Sequence, residues 1–97
     1  MREEVVWWLE SSKKNLRRAE RAFEDGDYAA SVFWAHQTVQ FALKAQILAE
    51  GKLPKRTHNL VKLLDQTSLE VPRHEVAELS PYYVVSRYPD IVEGVPE

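Results

Sequence analysis

Basic side chains form the first group of residues whose chemistry follows from their type and spacing. Five cations fall within nine residues, and on a helix with 100° per residue they share an arc of about 140°. They are Lys13, Lys14, Arg17, Arg18 and Arg21. Such a cluster can hold a triphosphate or an RNA backbone. The alternative is a solvated face balanced through i,i+3 and i,i+4 pairs by Glu10, Glu20 and Glu24.

A strip of polar residues on the following segment is the second group. Its members, spaced to stack along one side of a helix, are His36, Gln37, Gln40 and Lys44. Amide and imidazole groups on an apolar helix can bind a ligand or join two helices by hydrogen bonds. His36 has no other His or carboxylate three or four residues away, so the spacing does not indicate a metal site. We expect neither a metal nor a cofactor.

Two further groups lie nearer the C-terminus. Residues 55–58 read Lys-Arg-Thr-His before a predicted helix, which favours either an anion site at its N-terminus or simple capping by Thr57. Residues 82–90 contain three tyrosines and Arg87 between two prolines. That run can stack a base and hold a phosphate, or it can pack across the bundle with Arg87 paired to Asp90.

Helices are the elements that must position these groups. An apolar period of three and four residues predicts helix one over about 3–24, with a core face containing Val5, Trp8, Leu9, Ser12, Leu16, Ala19 and Phe23. Gly26 suits a left-handed helix end, and Asp27 suits the N-cap of the next helix. Because this connection is short, we expect an antiparallel hairpin.

The second helix is predicted over about 28–50, before Gly51, and it is apolar on two faces. This indicates either a central helix or one that packs on the bundle with one face and on a partner with the other. We expect a third helix over 58–66 and a short fourth over 72–79, opened by Pro72, and then an irregular tail over 80–97. The predicted fold is a single domain, residues 1–97, built as an all-α up-and-down bundle of about four helices.

Composition excludes several classes of protein. The 97 residues contain no cysteine, so disulfide scaffolds, zinc ribbons, iron–sulfur clusters and thiol chemistry are excluded. The net charge of −2 means that nucleic-acid binding requires a local patch. No apolar stretch approaches a membrane span of about 20 residues, and the N-terminus is acidic, so we expect a cytoplasmic protein without a membrane segment.

Four segments carry a family resemblance. Residues 27–33 read Asp-Tyr-Ala-Ala-Ser-Val-Phe, and residues 35–45 place Gln37 seven positions before Lys44. Residues 57–60 read Thr-His-Asn-Leu, and residues 86–90 read Ser-Arg-Tyr-Pro-Asp. In this order, over about residues 4–90, they resemble HEPN (higher eukaryotes and prokaryotes nucleotide-binding) domains, in particular the branch with an Arg-Tyr-Pro-Asp signature.

The resemblance has two departures. Position 40 is Gln where the family commonly has Glu. Family members usually continue into a further helix after the Arg-Tyr-Pro-Asp signature, whereas this sequence ends at Glu97. We therefore expect a short member or a fragment, with uncovered apolar surface that favours a partner or a dimer.

The resemblance implies a helical bundle that is commonly homodimeric. It implies a non-catalytic nucleotide-binding accessory module, partner of a minimal nucleotidyltransferase in a toxin–antitoxin-like pair. By motif match, Arg87 and Lys44 would meet phosphates, Gln37 would bind polar groups, and His58 and Tyr88 would complete the pocket. The basic patch of helix one would be a secondary site for RNA or a partner.

Two alternatives come from other classes. Some HEPN branches are metal-independent ribonuclease toxins with an Arg-x4–6-His motif, but no Arg has that spacing before His36, His58 or His74. Here His58 and Arg87 would have to meet across the bundle or dimer. The other alternative is a purely structural dimerisation module whose Trp7, Trp34 and aromatic tail contact protein only.

Overall fold

Four α-helices make up the part of the chain that the computed structural model describes, residues 2–79, and that part contains no strand. They are α1 (Arg2–Glu24), α2 (Tyr28–Ala49), α3 (Leu60–Leu64) and α4 (Arg73–Leu79). The predicted all-α bundle of about four helices is confirmed. The predicted tail over 80–97, with Arg87 and Tyr88, lies outside the described residues.

The first two helices form an antiparallel hairpin. The Ser12 hydroxyl donates to the carbonyl oxygen of Thr38, and the Ser31 hydroxyl donates to that of Ala19, both at 2.8 Å. As the position on α1 rises, the partner position on α2 falls by the same amount, which defines antiparallel packing. Short side chains let the two backbones approach closely enough for these hydrogen bonds to form.

The turn between the helices uses the residues that the sequence indicated. Gly26 has φ +78°, a left-handed conformation in which glycine carries no steric penalty. The Asp27 N–H donates to the Ala22 carbonyl at 2.9 Å, while the Asp27 carboxylate accepts from the Ala30 N–H at 3.2 Å. Gly51, with φ +79°, ends α2 in the same way.

The buried face of α1 differs from the predicted one. Ser12, Asn15 and Ala19 are its buried residues. By contrast, the larger apolar side chains remain 43%, 48% and 63% exposed at Leu9, Leu16 and Phe23 respectively. The predicted face is therefore confirmed at Ser12 and Ala19 and wrong at Leu9, Leu16 and Phe23, which lie to one side of the buried face. The reason is steric, because small side chains are needed where α1 touches the backbone of α2.

Two different faces of α2 are covered, so the prediction of a central helix is confirmed. One face contributes Leu43 and Ile47 to a core cluster that is completed by α3. The members from α3 are Leu60, Leu63 and Leu64. On another face, the Phe41 ring packs edge-on against Trp8 of α1, with ring centroids 4.8 Å apart. Little of the surface of α2 is therefore exposed to solvent.

The third helix is shorter than predicted, and its N-cap is a different residue. It begins at Leu60 because the Asn59 side chain accepts from the N–H groups of Val61 and Lys62, at 3.0 and 3.2 Å. Thr57, the predicted cap, instead accepts from the Asn59 N–H at 3.0 Å. The helix ends at Leu64 rather than 66, and α4 begins at Arg73, directly after Pro72.

Glu50, at the C-terminus of α2, anchors the segment that follows α3. Its carboxylate accepts from the Ser68 N–H at 3.0 Å and from the Gln46 side chain at 2.8 Å. The backbone hydrogen bond from Ser68, followed by the bond from Gln46, lowers the pKa of Glu50 from 4.5 to about 2. The Lys52 ammonium, 3.6 Å away, acts in the same direction.

We predict that Glu50→Gln reduces the loss of stability in acid. A carboxyl with a lower pKa in the folded state stabilises the protein above its ordinary pKa, and this contribution is lost as the pH falls from about 4.5 towards 2. Thermal unfolding, followed by circular dichroism at several pH values between about 6 and 2, measures how steeply the stability of each variant falls with pH. The matched control is Glu70→Gln, at an exposed position; identical slopes for both variants would contradict the role of Glu50.

Candidate functional site

Two members of the polar strip on α2 tie this helix to the segment before α3. His36, fully buried, donates from Nε2 to the carbonyl oxygen of His58 at 3.1 Å. The His58 Nδ1 in turn donates to Oε1 of Gln40, which is 2% exposed, at 3.2 Å. Each ring nitrogen must carry a proton, because both oxygens only accept. His36 and Gln40 therefore serve the interface between elements, one of the two interpretations of the strip.

Gln37 and Lys44, the other two members, have unsatisfied groups. The Gln37 side-chain oxygen is buried and has no hydrogen-bond partner within residues 2–79. Burial lowers the pKa of Lys44 below its ordinary value of 10.5, and no ion pair of the described residues includes it. The two residues lie seven positions apart, about 10 Å along the helix axis. The strip thus offers one acceptor and one desolvated cation.

An aromatic cluster of α1 and α2 contacts the Lys44 ammonium through one of its rings. The ammonium lies 5.1 Å from the Trp8 ring centroid, and the Trp8 ring packs against Phe41. Trp7 stacks on Phe41 with centroids 6.2 Å apart, yet it remains 58% exposed. Sequence reasoning assigned Trp8 to the core and missed this contact. Only the register of the hairpin brings position 8 next to position 44.

The structure places His58 beside the strip but does not bring all predicted pocket residues together. The His58 ring forms a hydrogen bond with Gln40, a residue that lies between Gln37 and Lys44 along α2. Arg87 and Tyr88 lie outside the described residues, so their roles remain predictions. The described part of the predicted pocket is therefore the strip with His58.

The basic patch of α1 forms a common surface hollow. Its volume is about 220 Å³, and its lining residues are Lys14, Arg17, Arg18 and Arg21. Lys13 is the exception, since its ammonium lies 3.4 Å from the Glu10 carboxylate. In the described part of the chain, no other ion pair includes a member of the patch. Charge balance by a neighbouring carboxylate therefore holds for Lys13 alone.

Arg18 occupies a fixed position in this hollow. Its guanidinium donates to the side-chain oxygen of Asn15 at 2.8 Å, and Asn15 is only 3% exposed. The same guanidinium lies 4.7 Å from the centroid of the Trp34 ring. A buried acceptor and an aromatic surface together restrict the rotamers of the arginine.

The basic loop before α3 has no built anion site. The N–H groups that an anion would use at Val61 and Lys62 already bind the Asn59 side chain. The Lys55 N–H donates to Gln66 at 2.9 Å. Of the two interpretations of this loop, the structure supports capping, with Asn59 as the capping residue.

Metal-binding clusters and membrane spans are both missing from residues 2–79. This region contains no group of three or more His, Cys, Asp or Glu side chains arranged to hold a metal ion. Likewise, none of its four helices is long and apolar enough to cross a membrane.

The hairpin with its short third and fourth helices defines a small helical-bundle domain. The family model described as HEPN domain matches residues 5–97. The crystal structure of TT1696 from Thermus thermophilus is similar, with a TM-score of 0.81 and 35% sequence identity over 90% of this chain and 72% of that chain. No curated protein matches significantly. The chain belongs to the HEPN domain family.

Proposed function

We propose that this HEPN domain is a non-catalytic nucleotide-binding accessory module, which works beside a minimal nucleotidyltransferase in a toxin–antitoxin-like pair. The observation that carries nucleotide binding is the Lys44 ammonium, which is partly desolvated and lacks a carboxylate partner within the described residues. A phosphate supplies the missing negative charge. Gln37 belongs to the proposed site on the basis of the family motif, and its side-chain oxygen is buried in the described structure.

The environment of Lys44 strengthens an interaction with phosphate. Charges attract more strongly where water is partly excluded, and hydrogen bonds between charged groups are stronger than neutral ones. The Trp8 ring gives the ammonium a weak interaction that does not neutralise its charge. His58, Arg87 and Tyr88 complete the proposed site on the basis of the family motifs.

The sequence supports a non-catalytic role. The Arg-x4–6-His motif of the ribonuclease branches is absent from it. His58, the histidine proposed as base in the ribonuclease alternative, donates its Nδ1 proton to the buried Gln40. A hydrogen bond from Nδ1 orients an imidazole without removing the basicity of Nε2, so the non-catalytic role rests on the missing motif.

Replacing Lys44 tests nucleotide binding directly. Calorimetric titration with ATP and GTP should show binding to the native chain, and Lys44→Gln should weaken it about tenfold or more, because a hydrogen bond to a charged group contributes about 1.5–3 kcal/mol. Lys62→Gln, at an exposed lysine of α3, removes the same charge elsewhere. Arg87→Ala extends the test to the predicted part of the site. If the native chain gives no heat of binding with ATP or GTP at about millimolar concentration, the nucleotide site is contradicted.

The partnership requires a separate experiment. Affinity purification of the full chain from its native cell, followed by mass spectrometry, should recover a nucleotidyltransferase. Recovery of this protein alone would contradict the accessory role while leaving the nucleotide titration valid. Purification at high salt indicates whether charged surfaces hold the pair together, since salt screens such contacts.

The exposed apolar line of α1 favours a homodimer as a second proposal. Leu9, Leu16 and Phe23 recur at intervals of seven residues, the spacing of a coiled-coil seam. Antiparallel pairing of two α1 helices about Leu16 sets Phe23 opposite Leu9 of the partner subunit. In the same register Lys13 faces Ala19 of the partner subunit and lies one residue from the level of Glu20 of the partner subunit, so opposite charges lie close together beside the seam.

A second feature of the same face supports this arrangement. A shallow hollow of about 340 Å³ adjoins Phe23. It is lined by Ala19, Glu20, Phe23, Glu24 and Ser31. An apolar side chain from a second copy fits there, and Leu9 of the partner subunit is the one that the antiparallel register delivers. The seam is separate from the strip on α2, so dimerisation and nucleotide binding are compatible.

Leu16→Glu tests the dimer. We expect light scattering coupled to size-exclusion chromatography to show a dimer for the native chain and a monomer for this variant, because a charge at the centre of the seam is buried against itself. Leu53→Glu is the matched control, since Leu53 is a loop leucine that is 79% exposed. A Leu16→Glu variant that remains dimeric, or a native chain that is monomeric when concentrated, would rule out this seam.

A further inference from the structure

We propose that the hollow of α1 lined by Lys14, Arg17, Arg18 and Arg21 is a second anion site, which binds the phosphate backbone of single-stranded RNA. It stands on observations separate from those at Lys44 and requires no catalysis. The chain would therefore contact RNA through α1 whatever ligand occupies the strip on α2.

The charge balance of the hollow is the first observation. Within residues 2–79, none of its four cations forms an ion pair with a carboxylate. Like charges three and four residues apart on a helix repel each other, which destabilises the helix in the absence of an anion. The whole chain carries a net charge of −2, so this concentration of positive charge is a local feature. Bound phosphates remove the repulsion.

The position of Arg18 is the second observation. The Asn15 side chain uses one N–H of its guanidinium, and a guanidinium has five. The remaining donors are available in a group whose orientation is already fixed by Asn15 and by the Trp34 ring. Binding through a fixed side chain loses less entropy than binding through a mobile one. A guanidinium plane also stacks on unpaired RNA bases.

The length of the hollow indicates an extended ligand. Lys14 and Arg21 are seven residues apart, which is about 10 Å along the axis. A row of cations of this length can meet consecutive phosphates along a strand, each with a different side chain. Among the residues that the structure describes, the lining of the hollow consists of four basic side chains and includes no aromatic ring to hold a nucleotide base. An extended polyanion fits this shape better than a mononucleotide.

RNA binding is tested by fluorescence anisotropy of a labelled single-stranded uridine oligomer, about twelve nucleotides long, at several salt concentrations. The double variant Arg17→Gln/Arg21→Gln should weaken binding at least tenfold. For single strands, log K changes with log salt by about 0.7 for each phosphate contact, so the slope should fall by about 1.4. The control Lys55→Gln/Lys62→Gln removes two exposed cations from other elements and should leave the slope unchanged.

Two more variants distinguish the hollow on α1 from the strip on α2 and from a surface that binds any anion. Arg18→Lys keeps the charge but loses the planar group, and it should weaken RNA binding through loss of stacking and of its fixed position. Lys44→Gln should retain RNA binding, so failure of the nucleotide proposal does not affect this result. The proposal would be overturned by equal losses of RNA binding in both double variants or by no binding at low salt. It would also be overturned if an equal concentration of polyglutamate displaced the RNA, a result that favours an acidic protein as the ligand.

Discussion

The close approach of α1 to α2 determines where the candidate groups on these two helices lie. Two serine hydroxyls bind backbone carbonyls across or beside this contact, which is possible only if short side chains occupy it. Larger residues are consequently displaced to its sides. Trp8 of α1 contacts Lys44 of α2, and Arg18 of α1 contacts Trp34 of α2. Each cation therefore lies against an aromatic ring of the opposite helix. The chemistry of the domain belongs to the hairpin and not to either helix alone.

The rest of the described chain holds α2 in place by polar contacts at the edge of a small apolar cluster. Residues 51–59 form no helix, and they are connected to α2 through His58 and to the following segment through Gln66. Glu50 makes the corresponding connection to Ser68. Each of these side chains makes a hydrogen bond with a polar group that would otherwise bind water or remain unpaired. These bonds give residues 51–59 a defined path although they have little apolar surface to bury. This defined path is the reason that His36 and Gln40 are structural, because the backbone carbonyl and the ring of His58 bind them.

The sequence predicted those features that depend on local chemistry. Gly26, Asp27 and Gly51 act where the helices begin and end as expected, because left-handed turns and N-caps have strong residue preferences. The two covered faces of α2 were also predictable from its composition. The buried face of α1 was not, since hydrophobic periodicity scores apolar character and ignores the space available between helices. Nor could spacing reveal the contacts of Lys44 and Arg18, which require the register of the hairpin. Gln37 and Lys44 were singled out by their spacing in the polar strip and again by the family motif, and their roles as binding residues stay predictions.

The small residues at the contact between α1 and α2 have a consequence for how such a sequence can diverge. Enlarging Ser12 or Ala19 separates the helices, whereas Leu9 or Phe23 can change to another large side chain without altering the contact within one chain. Evolutionary constraint on α1 is therefore expected at its least hydrophobic buried positions. Relatives of this domain would be recognised by a conserved pattern of small residues, and comparisons weighted towards large apolar residues would follow the solvent-facing side of the helix instead.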